Sequence, residues 1–278
     1  ITPDYYGPRN NTITIAVDNG INVKSADYVV RNTVGHYLND ILDKVIVDLG
    51  DDFIGSIFLR AGNYEIDSDT LDLSKFKNLN IIGEDKRTTV IKGSIKVNSQ
   101  EKGIITLSNL TASDVYFNSE VMALSLSNAI INDFNSSKSN NNLIIKNVSI
   151  ANLNVKDTRE DYVDVTDSIY NSIFGSNIGF VKIETGHTLL NGNTIGKLEL
   201  CDVNHDLVKS CFIQEVSSKP AQTQLVGCTV LDYKDTPFTQ IPHMKHFPIY
   251  AKESNQCLEY ATFANPFTIN YSQEGNTI

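Results

Sequence analysis

Residues 107–150 repeat one short pattern three times: Leu107-Ser-Asn109-Leu, Leu126-Ser-Asn128-Ala and Ile145-Lys-Asn147-Val. Each copy has an apolar residue, one spacer, a turn-forming residue and then a short apolar or β-branched run. The pattern continues toward the carboxyl end with four further turn-forming anchors, which are Asp167, Gly192, Ser210 and Gly227. Gly, Asn and Asp tolerate the left-handed backbone conformation, so the anchors predict tight corners between strands.

The spacing of the corners predicts a solenoid. The anchors lie 17 to 25 residues apart, the runs between them are short, and no helical pattern of about 10–15 residues separates them. The sequence therefore predicts an all-β fold, a right-handed single-stranded parallel β-helix, in which coils stack and pair in parallel. Alternation supports this fold, because one set of side chains is expected to face inward (Val148, Ile150, Leu153, Val155) and the other outward (Ser149, Asn152, Asn154, Lys156).

A solenoid exposes apolar ends, so the flanking segments are expected to cap it. Residues 34–49 predict an N-terminal capping α-helix, with Asn32 or Thr33 as the N-cap. One face of that helix is apolar at Val34, Leu38, Ile41, Leu42, Val45 and Leu49. The predicted organisation is N-terminal strands and helix in 1–50, the β-helix in 51–235, and an aromatic-rich C-terminal cap or association segment in 236–278.

The composition and charge of the chain restrict the classes of partner that it is expected to bind. The chain has 278 residues and a formal net charge of −10. It lacks a basic cluster with interleaved aromatic residues, which argues against nucleic acid as a partner. It also lacks an apolar run of about 18 residues, which argues against membrane insertion.

The four cysteines match neither a zinc motif nor a disulfide framework. They are Cys201, Cys211, Cys228 and Cys257. We expect buried free thiols, with Cys211 and Cys228 in adjacent coils, although a disulfide between these two is an alternative. No cofactor and no metal site are predicted.

Residues 26–95 resemble the opening of pectate-lyase-like β-helix proteins. The resemblance rests on the order of Ala26-Asp-Tyr-Val-Val30, the amphipathic helix, Ser56-Ile-Phe-Leu-Arg-Ala-Gly-Asn-Tyr-Glu-Ile66 and Leu79-Asn-Ile-Ile-Gly. It is strongest to phage tail spikes and tail appendages. It implies a virion or extracellular location, a homotrimer, and contacts with other virion or appendage proteins. It does not by itself imply an enzyme.

The linear signatures of the named enzymes on this fold are missing. Gly62-Asn-Tyr64-Glu65 is similar to the start of pectin methylesterases, but their later Arg-Pro-Trp run has no counterpart and the chain has no Trp. The polygalacturonase motifs are absent as well. Pectate lyases use an Arg as base, and no Arg follows Arg159. These absences favour a role that is not enzymatic.

A hydrolase or lyase whose carboxylates come from different coils would have no linear motif. The insertion Asp157-Thr-Arg-Glu-Asp-Tyr-Val-Asp164 concentrates the best candidates. We take Asp157, Glu160, Asp161 and Asp164 as catalytic candidates, and Arg159 and Tyr162 as glycan-binding candidates; the alternative is a solvated charged loop. A second set on successive coils, Glu184, Glu199, Asp202 and Glu215, is a candidate ladder of acids or an outer covering of the coils.

The sequence thus favours a structural and receptor-binding or glycan-binding component of a phage tail or similar appendage, whose partner is a host cell-surface polysaccharide. One alternative is a polysaccharide lyase or glycoside hydrolase, and another is a passive structural shaft. A binder is expected to present a groove with exposed Tyr or Phe, and a shaft is not.

Overall fold

The computed structural model describes residues 12–18, 23–50, 53–140, 142–157, 171–184, 188–200, 206–218, 223–234, 249–251, 256–259 and 262–263. Up to residue 157 its elements are β1 (Thr12–Val17), a 3-10 helix (Val23–Ser25), β2 (Tyr28–Val30), α1 (Leu38–Leu49), β3 (Ile54–Leu59), β4 (Gly62–Asp72), β5 (Asn78–Gly83), β6 (Thr89–Val97), β7 (Gly103–Ser108), β8 (Thr111–Asn118), β9 (Met122–Ser127), β10 (Ile130–Ser139), β11 (Leu143–Lys146) and β12 (Ser149–Asp157). After it come β13 (Asn171–Phe174), β14 (Asn177–Ile183), β15 (Thr188–Asn191), β16 (Thr194–Leu200), β17 (Asp206–Lys209), β18 (Phe212–Ser218), β19 (Thr223–Val226), β20 (Thr229–Lys234), β21 (Ile249–Ala251), β22 (Gln256–Glu259) and β23 (Thr262–Phe263).

The described strands form two sheets. Sheet A has the order β2-β1-β3-β5-β7-β9-β11-β13-β15-β17-β19-β22-β21, and sheet B has the order β23-β20-β18-β16-β14-β12-β10-β8-β6-β4. Neighbours pair in parallel except β21 and β22, which are antiparallel. Along the chain, strands alternate between the sheets, so each coil contributes one strand to each sheet. This arrangement is consistent with a parallel β-solenoid, as the corner repeat predicts.

One continuous apolar core runs between the two sheets. The predicted alternation in β12 and the residue before it is confirmed: Val148, Ile150, Leu153 and Val155 are buried, while Ser149 is exposed. Parallel register places like positions above each other, so Ile131, Ile150 and Ile178 stack on adjacent strands. The core therefore needs the same apolar residue types once per coil.

Six of the seven predicted corners are confirmed. Asn109, Asn128, Asn147, Gly192, Ser210 and Gly227 all have positive φ. Gly175, with φ 54°, is the corner between β13 and β14, and the seventh predicted corner, Asp167, lies outside the described residues.

Three asparagine anchors form a ladder along the stack. The Asn128 Nδ2 donates to Asn109 Oδ1 at 2.6 Å, and the Asn147 Nδ2 lies 3.5 Å from Asn128 Oδ1. Asparagine therefore serves two purposes at these corners: it tolerates the left-handed conformation, and its amide links adjacent coils.

Substitutions at Asn128 separate these two contributions. Asn128→Gly keeps the backbone relaxed and removes the ladder hydrogen bonds, so we expect a loss of about 1 kcal/mol in the free energy of unfolding. Asn128→Ala also places a Cβ-bearing residue without a local hydrogen bond at φ 47°, which is expected to cost about 1 kcal/mol more. Urea unfolding measures both. An alanine variant as stable as the wild type would contradict this account of the corner.

Helix α1 covers the N-terminal end of the core, where sheet A has two strands, β1 and β2, without counterparts in sheet B. Its buried face is Leu38, Ile41, Leu42 and Val45. The predicted start at 34 is wrong: Val34 is 88% exposed, and the helix begins at Leu38. Tyr37 is the N-cap instead of Asn32 or Thr33, and its N–H donates to the Asp40 carboxylate at 2.9 Å, which fixes the first turn.

Asn32, which the sequence predicts as a helix N-cap, instead forms hydrogen bonds with backbone groups at the edge of β4. Its Nδ2 donates to the Asn63 carbonyl at 2.9 Å, and its Oδ1 accepts from the Glu65 N–H at 3.0 Å. The Asn39 Oδ1 accepts from the Asp67 N–H at 2.9 Å. Side-chain amides thus replace the missing next strand and block pairing with another chain at this edge. Within the described residues, no helix is long and apolar enough to cross a membrane.

Candidate functional site

Most of the site residues predicted from the sequence lie outside the described residues: Arg159, Glu160, Asp161, Tyr162 and Asp164. Asp157 is the last residue of β12, but its side chain is not among those described. Their catalytic and glycan-binding roles therefore stay predictions.

The described surface has an open groove of about 620 Å³ elsewhere, on the outer face of sheet B. It crosses five adjacent strands, β6, β8, β10, β12 and β14, near their amino ends. On β12 the groove uses residues 149–151, whereas the insertion leaves after Asp157. Six residues of strand span about 20 Å, so the groove and this end of the insertion are well separated along the strand.

Two rows of outward side chains form the walls. The first ridge is Val90, Thr111, Ile130, Ser149 and Asn177, and the second ridge is Lys92, Ser113, Asn132, Ala151 and Gly179. Between them lie the inward-facing residues Ile91, Ala112, Ile131 and Ile150, so their backbone forms the floor. The two ridges are two residues apart along each strand, so their backbones lie about 7 Å apart, and the five strands give the groove a length of about 19 Å along the stack.

The second ridge becomes lower toward the carboxyl end. Its side chains change from Lys92 to Ser113, Asn132, Ala151 and Gly179, and Gly196 follows on β16. The backbone is close-packed at the two glycines: a Cβ on Gly196 would lie 2.5 Å from the Gly179 carbonyl oxygen. Glycine at these positions permits close approach of the strands and also keeps the groove open.

A turn adjoins the opposite end of the groove. Residues 84–88 connect β5 to β6, and the Thr111 hydroxyl donates to the Lys86 carbonyl at 2.5 Å. The Thr89 hydroxyl accepts from the Glu84 N–H at 3.1 Å. These bonds hold the turn against the start of the first ridge, so this end of the groove has a fixed boundary.

Two carboxylates lie one residue beyond the second ridge. Asp114 and Asp133 are directly opposite each other on β8 and β10, so their backbones are about 4.8 Å apart. Asp114 accepts from the Ser94 hydroxyl at 3.2 Å, and Asp133 accepts from the Asn152 amide at 2.6 Å. Both are half-buried. Within the described residues, no three His, Cys, Asp or Glu side chains converge as metal ligands do.

The ladder of acids does not form in the described part of the chain. The register places Lys182 opposite Glu199 and Lys197 opposite Glu215, and the Lys197 ammonium lies 3.3 Å from the Glu215 carboxylate. The Lys182 ammonium lies 2.9 Å from Glu184; its hydrogen bond is the largest influence that lowers the pKa of this carboxyl. Opposite charges alternate, which fits the outer-covering interpretation. Asp202 lies outside the described residues.

The prediction of buried thiols is confirmed for Cys211 and Cys228, which are buried in adjacent coils and do not form a disulfide. Both follow a corner anchor by one place. The Asn193 N–H points at the Cys211 sulfur at 3.4 Å, and the Ser176 N–H donates to the Asn193 Oδ1 at 2.8 Å. A hydrogen bond from Cys228, together with those from Asn193 and from the Gly192 backbone, lowers the pKa of the Cys211 thiol. The Cys211 sulfur therefore accepts one of a series of hydrogen bonds that link adjacent coils at the corners.

Comparison with family models, with curated proteins and with solved structures gives no match. The arrangement of the two sheets and the groove geometry therefore carry the functional argument. Sequence reasoning did not find the groove, because its walls come from ten positions in five strands with no linear motif. The sequence does contain one pattern that indicates the groove: a small or polar residue lies two places after each first-ridge residue.

Proposed function

We propose that this chain is a right-handed single-stranded parallel β-helix that serves as a structural and glycan-binding component of a phage tail or similar surface appendage. It works on a virion or outside the cell, as a homotrimer in contact with other appendage proteins, and its receptor is a host cell-surface polysaccharide. The observation that carries the glycan-binding part is the groove across five paired strands of sheet B. The phage-tail context rests on the resemblance of residues 26–95.

The groove has the properties of a preformed polymer site. Its walls stand on strands that are paired on both sides, so the site is held by the rigid part of the fold. Its length of about 19 Å suits several units of an extended chain.

The lining contains no aromatic ring, contrary to what the sequence analysis expects of a binder. Contacts to a sugar would come from hydroxyl and amide groups and from the aliphatic carbons of Val90, Ile130 and Ala151. Such contacts are weaker per sugar than ring stacking. Repetition of the site in a homotrimer would compensate through avidity.

The test is incubation of the purified chain with capsular, teichoic and pectic polysaccharides, with readouts of binding and of new reducing or unsaturated ends. Binding without new ends is the expected result. New ends would replace this proposal with an enzyme, and neither signal would leave the passive shaft as the function.

One observation favours the enzyme as a second candidate. Retaining glycosidases use two carboxyl groups about 5 Å apart, and the backbones of Asp114 and Asp133 lie about 4.8 Å apart at opposite positions on adjacent strands beside the groove. If the chain cleaves a glycan there, Asp114→Asn and Asp133→Asn are each expected to lower the rate by at least about 100-fold. Asp67→Asn, on the edge strand β4, is the control.

The insertion gives a competing location for the same chemistry. Loss of cleavage in Asp161→Asn and Asp164→Asn, with Asp114→Asn and Asp133→Asn fully active, would move the active site to residues 157–164. Cleavage that survives all four substitutions would contradict both locations.

A further inference from the structure

The two buried cysteines occupy the same position in adjacent coils. The Cys211 sulfur lies 3.5 Å from the Leu190 carbonyl oxygen. The Cys228 sulfur lies 3.3 Å from the Val208 carbonyl oxygen, which is the equivalent atom one coil later. The Thr229 N–H donates to the Cys211 carbonyl at 2.9 Å, so the two cysteines lie on directly paired segments. Paired strands are about 4.8 Å apart, and disulfides join Cα atoms about 4.4–6.8 Å apart, so the backbone spacing suits a disulfide.

The two thiols face each other and differ in their surroundings. Cys228 has one thiol proton, which it can direct to the Val208 carbonyl or to the Cys211 sulfur. The Cys211 sulfur also accepts from the Asn193 N–H at 3.4 Å and from the Gly192 backbone. These donors stabilise a negative charge on Cys211 and lower the pKa of its thiol, and the thiolate is the nucleophilic form of cysteine. Cys211 is therefore the better first nucleophile of the pair.

The corner residues leave both sulfurs close to solvent. Gly192, Ser210 and Gly227 are exposed, and each lies directly before a buried residue of this column. No heavy atom lies within 4 Å of an ideal Cβ at Gly192, and the nearest to one at Gly227 is the Ser210 Oγ at 3.8 Å. The sulfurs thus lie one residue beneath an open surface. A molecule as small as hydrogen peroxide needs only a local opening of the corner to reach them.

We infer that Cys211 and Cys228 form a covalent modification site, at which a peroxide oxidises the pair to a disulfide that joins two adjacent coils. The proposed location outside the cell supplies oxidising conditions, whereas reducing conditions in a cytosol keep thiols free. The chemistry does not depend on glycan binding, so its failure would leave the proposed function standing.

The oxidation has two steps. The Cys211 thiolate attacks one oxygen of hydrogen peroxide, the O–O bond breaks, and the products are a sulfenic acid and a hydroxide that takes up the proton released by the thiol. The Cys228 sulfur then attacks the Cys211 sulfur, the S–O bond breaks, and the departing hydroxide takes up the Cys228 proton. In total, the two sulfurs lose two electrons to the peroxide, and two water molecules leave.

The disulfide would strengthen the carboxyl-terminal part of the described stack. It would link the segment between β17 and β18 to the segment between β19 and β20 and so restrict the unfolded chain. We therefore expect the urea midpoint of unfolding to rise on oxidation and to return to its starting value after treatment with a reductant.

The test uses a background variant with Cys201→Ser and Cys257→Ser, which leaves only the pair. It is treated with hydrogen peroxide, unfolded in denaturant, alkylated with iodoacetamide and weighed by mass spectrometry. We expect a loss of two hydrogen atoms, no alkylated thiol, and a peptide map that contains a 211–228 link. Thermal melting confirms that the variant is folded; if it is not, the same peptide map is made on the unaltered chain.

Two single variants in the same background separate the roles of the thiols. Alanine suits this column, because Ala129 is buried at the equivalent place after the corner at Asn128. In Cys228→Ala the sulfenic acid has no second thiol, so we expect dimedone to label Cys211. In Cys211→Ala we expect about tenfold less label on Cys228 under the same conditions.

Three results would overturn the inference. They are full alkylation of both thiols after peroxide treatment, a disulfide that links two chains instead of two coils, and stronger dimedone labelling of Cys228 in Cys211→Ala than of Cys211 in Cys228→Ala. The glycan-binding assay is independent of all three.

Discussion

Gly103→Ala is expected to lower the free energy of unfolding by about 3 kcal/mol or more. Gly103 opens β7, and the next N–H, that of Ile104, donates to the Lys77 carbonyl at 2.9 Å. This bond holds the carbonyl against Gly103, so an added Cβ would overlap the oxygen and carbon of Lys77. Both sides of the overlap are backbone and cannot move away as a side chain would. Urea unfolding measures the loss.

Gly175→Asn is the matched control for this glycine. Gly175 has φ 54°, no heavy atom lies within 4 Å of its ideal Cβ position, and Asn147 adopts the same φ at the equivalent corner. We expect a change within about 0.5 kcal/mol. A Gly103→Ala variant as stable as Gly175→Asn would contradict the placement of β7 beside residue 77.

Phe134→Ala is expected to cost about 3–5 kcal/mol, because it removes a fully buried ring and leaves a cavity. Phe134 lies between Val115 and Leu153 in the register of β8, β10 and β12, so the cavity would open in the middle of the stack. The close-packed coils on both sides limit relaxation into the space.

Tyr116→Ala is the control for the ring at position 134. Tyr116 is the next residue after Val115 on β8, and the residue is 43% exposed. Its removal is expected to cost less than about 1 kcal/mol. Equal costs for the two substitutions would contradict the inward and outward assignment of these strands.

The corners and the core could be predicted from the sequence because each depends on a few residue types. Left-handed backbone strongly favours Gly and Asn, and this makes Asn109, Asn128 and Asn147 visible as a repeat. Ser210 at φ 53° shows that the preference is not absolute.

The helix boundary and the groove depend on tertiary contacts. Val34 continues the apolar spacing of the helix, yet the Asp40 carboxylate fixes the first turn at Tyr37, and Asn32 binds the edge of β4. Groove residues such as Ser113 and Ala151 are unremarkable in sequence. They become neighbours only through the parallel register of the strands. The periodicity of the sequence implies this register, but it does not show which residues share one face of the sheet.

The most direct test of the account is a crystal structure of the chain soaked with the oligosaccharide that binds it most tightly. The account predicts continuous ligand density along the solenoid axis between the two ridges, in contact with Ser113, Asn132 and Ser149. Ligand density confined to another surface, such as the segment that follows Asp157, with an empty groove, would contradict it.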